Sequence, residues 1–175
     1  MSSRKFLALF LLCALVPLAA AWASLRFGWF SAAPTVNHGE WLTQELRLLP
    51  APAHGGGQWH LVYVPAGEGE LAERSEQALL ILQQLHTGLG RKQGRVQALV
   101  LAAENPAARA RYPHVEWQAA QVSEAAVQGR IVLVDPRGLA LLRYAVEPGP
   151  EQAQRVAGDI RSDLLRLMNY DRSGV

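Results

Sequence analysis

The fold is decided by residues 131–144: Ile131-Val132-Leu133-Val134-Asp135-Pro136-Arg137-Gly138-Leu139-Ala140-Leu141-Leu142-Arg143-Tyr144. Four large or β-branched apolar residues in succession read as a strand buried on both faces. Asp135 to Gly138 then reads as a turn. Proline presets the dihedral of the second position, and glycine accepts the left-handed conformation that follows. Asp135 is expected to accept backbone hydrogen bonds there, as turn aspartates do. The chain returns antiparallel over Leu139–Tyr144, which makes the stretch a β-hairpin.

Beyond the hairpin, Glu151 to Met168 follows Gly149-Pro150 and predicts a helix. Ala153, Val156, Ala157, Ile160, Leu164 and Leu167 fall on one face at helical spacing. Upstream, Trp59–Val64 and Val96–Leu101 are further buried strands. Between them, Gly69–Leu85 predicts a helix with Leu71, Ala78, Leu82 and Leu85 near one face. Glu68, Glu70, Glu73 and Glu76 crowd its first turns, where the helix dipole favours negative charge. A helix is expected within Asn105–Tyr112 and a short one over Ser123–Gln128. One short strand is expected at Leu46–Leu49, within a connector over residues 31–53, and His54-Gly55-Gly56-Gly57 reads as a loop. The order begins β-α-β and closes with a hairpin and a helix. This is an α/β domain of thioredoxin-like arrangement over residues 54–170, built on a central mixed sheet.

The 175-residue chain has three of its 17 basic residues and none of its 15 acidic ones within residues 1–30. The remainder is therefore about neutral, which argues against a nucleic-acid partner. Phe6–Leu25 is apolar apart from Pro17 and Ser24, long enough to reach across a ~30 Å hydrocarbon core. Arg4 and Lys5 precede it, and Trp22, Arg26, Phe27 and Trp29 fit the far interface. Residues 1–30 are expected to be one cytoplasmic N-terminus and transmembrane helix, with the C-terminal domain exported. In a bacterium that is an inner-membrane protein facing the periplasm. Ala21-Trp22-Ala23 also fits a signal-peptide cleavage site, which leaves a cleaved leader as the alternative.

The single cysteine, Cys13, lies in the apolar run. Disulfides, Cys-ligated zinc and dithiol redox chemistry within the chain are thereby excluded. Gly67-x-Gly69-x-x-Ala72 formally matches a dinucleotide fingerprint, but the carboxylates around it would repel a pyrophosphate. His38, His54, His60, His86 and His114 have no zinc-ligand spacing. No nucleophile elbow surrounds Ser75, Ser123, Ser162 or Ser173. No catalytic residue, cofactor or metal ligand is assigned, and residues 171–175 read as a polar tail.

The hairpin with Leu142-Arg143-Tyr144 and the terminal helix resembles the C-terminal half of the Sco/SenC-type proteins. Trp59-His60-Leu61-Val62-Tyr63-Val64 is similar to their first core strand. Asn37-His38-Gly39-Glu40 is similar to an Asn-x-Gly-Glu segment of small membrane-anchored relatives that accompany oxidase assembly factors. The resemblance implies a single-pass, periplasm-facing protein of cytochrome c oxidase biogenesis. The family's Cys-x-x-x-Cys copper loop is replaced here by Pro65-Ala66-Gly67-Glu68-Gly69-Glu70-Leu71, so its copper and thiol chemistry does not transfer. The expectation is a non-catalytic module that contacts an oxidase subunit or another assembly factor. Pro65, Gly67, Glu68, Gly69, Glu70, Trp41 and Trp117 are its candidate partner surface. The alternative is histidine-based binding or delivery of a metal such as copper.

Overall fold

The computed structural model describes residues 3–26, 37–52, 57–67 and 72–170. They separate into two units, Met1–Val36 and Asn37–Val175. In the first, Ser3–Arg26 forms helix α1 with Pro17 inside it. Phe10, Leu12, Leu15, Val16, Leu18 and Trp22 are exposed there. Among the described residues no helix is long and apolar enough to cross a membrane. The expected span over Phe6–Leu25 is thus met as a helix only. Phe27 and Trp29 lie outside the described residues.

The second unit is one six-stranded mixed sheet with helices against it. Its strands are β1 (Glu40–Arg47), β2 (Trp59–Val64), β3 (Val96–Leu101), β4 (Val115–Gln118), β5 (Arg130–Val134) and β6 (Leu139–Ala145). Its helices are α2 (Ala72–Gly88), α3 (Pro106–Arg111) and α4 (Pro150–Tyr170). Strand order is β1-β6-β5-β2-β3-β4. β2, β3 and β4 run parallel, with Trp59 opposite Val96 and Val100 opposite Trp117. β5 and β6 are antiparallel to their neighbours, with Tyr63 opposite Ile131 and Ile131 opposite Tyr144.

Alternation along the strands sends side chains to two cores. Leu61, Tyr63, Ala98, Val100, Ile131, Leu133 and Leu142 meet Leu82 and Leu85 of α2 and Ile160 and Leu164 of α4. Val62, Val64, Leu99, Leu101, Val132 and Val134 form the second core, closed by Leu49 and Val127. Every residue of both clusters lies between Leu49 and Met168, so the unit from Asn37 onward carries its whole core. The hairpin turn forms as expected. Asp135 Oδ1 accepts from the backbone N–H of Arg137 and Leu139, both at 2.9 Å, and Gly138 takes φ +86°.

Four elements differ from the sequence reading. The strand expected at Leu46–Leu49 is observed at Glu40–Arg47, so the segment read as connector supplies the sheet's edge. Ser123–Gln128 is a turn and not a helix. Val127 N–H donates to Glu124 O, and Gly129, at φ +68°, donates to Val64 O at 2.7 Å. Those bonds bring Val127 into the second core, which overrides the helix propensity of the local alanines. β4 and the 3₁₀ turn Gly90–Arg95 are too short to leave a periodic signal.

Candidate functional site

A cleft of about 600 Å³ opens at the C-terminal ends of β2 and β3, between α2 and α3. The fold places this concavity where both parallel strands end, with α2 on one side and α3 on the other. α3 is fixed by its first residues. Asn105 Oδ1 accepts from Ala107 and Ala108 N–H at 3.1 and 3.2 Å, and Pro106 begins the helix.

The cleft's floor is apolar, formed by Leu79, Val100, Ala102 and Tyr112. Its polar end is the Tyr63 hydroxyl, 3.1 Å from Ser75 Oγ. Burial pushes the Tyr63 phenol above its ordinary range, only partly offset by the Ser75 bond. Tyr63 therefore keeps its proton and cannot act as a base toward Ser75. Arg111 Nη1 reaches Glu76 Oε1 at 2.7 Å, joining α3 to α2 across the mouth. Both side chains are more than 60% exposed, so the pair exchanges readily with solvent or a ligand. Trp117 on β4 is half-buried in the cleft wall, its indole N–H buried without a partner. The site has the size and lining of a binding cleft.

Of the candidate partner residues, the structure brings Pro65 and Trp117 together on this cleft. Gly67 follows Pro65, exposed and at φ +141°, a conformation that favours glycine. Glu68, Gly69 and Glu70 lie outside the described residues. Trp41 does not join them. It is on β1, the opposite edge of the sheet from β4, and is 38% exposed.

The histidines are dispersed. His38 contacts Asp163 and Asp159, and His54 lies outside the described residues. His60 on β2 and His86 at the end of α2 each have a buried Nδ1 without a partner. Burial holds both imidazoles below the usual range, with His114 also opposing the charge on His86. His86 and His114 stack with ring centres 5.5 Å apart. Among the described residues no group of three or more His, Cys, Asp or Glu side chains is placed to hold a metal ion.

A second polar centre escaped the sequence reading. Asp163 on α4 is fully buried. Its Oδ2 accepts from the backbone N–H of His38 at 2.8 Å, of Gly39 at 2.9 Å and from the Tyr144 hydroxyl at 2.9 Å. A Cβ on Gly39 would lie 2.5 to 2.8 Å from the Tyr144 ring, so only glycine fits. Glu40 then pairs with Arg143, whose Nε lies 2.9 Å from Oε2. That pairing holds the Glu40 carboxyl below its ordinary range. The Asn-His-Gly-Glu segment is thus a structural clamp. Its signal was an acid at position 163, among the apolar positions of α4.

A family model described as the transmembrane-like, thioredoxin-like C-terminal domain matches residues 59–170. Among solved structures, copper-bound ScoI from Bradyrhizobium japonicum is similar at 16% identity with a TM-score of 0.39. The match covers 63% of this chain and 85% of that one. No curated protein matches.

Proposed function

The chain belongs to the transmembrane-like, thioredoxin-like family, and from that premise we propose that it is a non-catalytic binding module held at a membrane. In this reading α1 is the anchor and the sheet domain faces the periplasm, as the basic residues before the apolar run suggest. The cleft between α2 and α3 is the partner site. One observation carries the reading: the cleft offers an apolar floor with buried Tyr63 and Tyr112 and half-buried Trp117, and among the described residues its hydroxyl pair is Tyr63 with Ser75. Such a lining supports recognition of an apolar segment of another protein. The absence of cysteine after Cys13 removes thiol exchange as a competing use. The process is assembly of cytochrome c oxidase, through contact with a subunit or another assembly factor. Its support is the resemblance of residues 131–144 and 37–40 to Sco/SenC-type proteins and their relatives.

Deletion of the gene and complementation with variants test the reading. Loss of the haem a band and of oxidase activity, unrelieved by copper, is the expected phenotype. Ala107→Trp, at an exposed position on the cleft lining, is expected to fold normally and fail to complement. An unchanged oxidase in the deletion strain would overturn the process. Full complementation by Ala107→Trp would overturn the cleft as the site. Rescue by copper alone would transfer the role to metal delivery.

A further inference from the structure

The end of the domain opposite the cleft carries a different surface. No acidic side chain occurs between Glu76 and Glu104. Within that stretch the 3₁₀ turn Gly90–Arg95 brings Arg91, Lys92 and Arg95 together, with no residue buried. Gly90 at φ +53° sets the turn after α2. Among the described residues Arg91 and Arg95 make no ion pair. Arg109, Arg111, Arg130, Arg137 and Arg143 are each matched to an acid. Lys92 Nζ reaches Asn169 Oδ1 at 3.5 Å, which sets the turn beside the C-terminal end of α4. The next residue, Tyr170, is 79% exposed. Glu116 lines the adjoining polar cleft with Gln93 and Gly94, and accepts from Gln97 Nε2 at 2.6 Å.

We propose that this face docks on the surface of an anionic lipid bilayer. The cations of the turn meet headgroup phosphates, and Tyr170 sits at the interface with its ring toward the acyl region. Charge complementarity selects an anionic partner. The choice of lipid rests on the anchored reading above, since a tethered domain is confined beside a bilayer. A single tyrosine also provides no platform for stacking successive bases. The docked face lies at the N-terminal ends of the parallel strands, so the cleft at their C-terminal ends stays open to a partner.

The test uses residues 37–175, the unit that carries its own core. Cosedimentation is measured with vesicles of about one-third phosphatidylglycerol in phosphatidylcholine and with pure phosphatidylcholine, at ~50 and ~500 mM salt. Binding is expected only with phosphatidylglycerol and only at low salt. R91Q/K92Q/R95Q is expected to weaken it on the order of 100-fold, and Tyr170→Ser to weaken it further. Salt dependence reads the same contact without any variant. No sedimentation with phosphatidylglycerol at low salt, or a triple variant that binds like the parent, overturns the proposal. Retention on heparin without vesicle binding also overturns it and reassigns the face to a soluble polyanion. Carbonate extraction of the full chain from membranes tests the anchor separately, because its release leaves the vesicle result for residues 37–175 intact.

Discussion

Replacing Asp163 by alanine removes the acceptor on which three donors converge: His38 N–H, Gly39 N–H and the Tyr144 hydroxyl. Taken singly, hydrogen bonds to a charged group contribute about 1.5–3 kcal/mol each. Their sum overstates the cost, because the segment before β1 can swing into water and rehydrate two of the donors. Tyr144 cannot follow, being on β6 inside the first core. Its stranded hydroxyl alone costs about 1–3 kcal/mol, and loss of the β1 packing adds to that. The expected destabilisation is about 3–5 kcal/mol, the range for breaking one side of a buried polar pairing. Against a typical ~5–15 kcal/mol for a domain, this is a large fraction. Urea unfolding of residues 37–175 gives the magnitude, and hydrogen exchange at Glu40–Leu42 shows where it falls. Tyr144→Phe is expected to cost about 1 kcal/mol in the parent and to recover about 1–3 kcal/mol in Asp163→Ala, where it removes the stranded hydroxyl. A loss under ~1 kcal/mol with unchanged exchange in β1 would refute the clamp.

Gly39→Ala is expected to destabilise by about 1–3 kcal/mol through overpacking against Tyr144, seen as a lowered thermal midpoint. Stability is expected to fall on acidification below pH 6.5. Burial holds the folded His60 and His86 imidazoles below that ordinary value, so their neutral forms favour the fold above it. Urea midpoints between about pH 7 and pH 5 should fall, and His60→Gln should flatten the slope. Glu76→Gln breaks an exposed pair and is expected to change stability by less than ~1 kcal/mol. A larger loss by thermal melting would show that the bridge holds α3 in place.

The parts of the fold legible in the sequence were those whose side chains repeat. Val96–Leu101 and Trp59–Val64 are strands because both faces are buried, and unbroken apolar runs are the signature of that burial. The hairpin was legible because proline and glycine each have a local reason to be in its turn. β1 was displaced by several residues in the reading because its burial is poor and irregular, leaving no strict alternation. Asp163 stands out as an acid among the apolar positions of α4, but its partners are 19 to 125 residues away, and no local rule links an acid on α4 to Gly39. In the cleft, Pro65 was legible from the loop after β2. Trp117 was found as a tryptophan, and its place across the cleft depends on the pairing of β4 with β3.

The clamp explains how so exposed a strand as β1 keeps its place. β1 pairs with β6 at its two ends only, Glu40–Trp41 and Leu46–Arg47, with a register shift between. At its start Asp163 takes the two N–H groups before it, and Arg143 takes Glu40. At its end Arg47 Nη1 donates to Arg137 O at 2.6 Å, and Leu48 and Leu49 N–H both donate to Gly138 O. The strand is therefore anchored by side chains and turns where the ladder is weakest. The irregular middle has a consequence of its own. An edge strand with a continuous row of free N–H and C=O groups templates pairing with another chain, and a bulge interrupts that row. Trp41 sits beside the irregularity and stays 38% exposed, while Leu42 and Leu46 pack against the second core. Fixing both ends while breaking the middle lets the sheet accept a strand contributed from the segment nearest α1. It also denies a second copy of the chain a regular edge to extend.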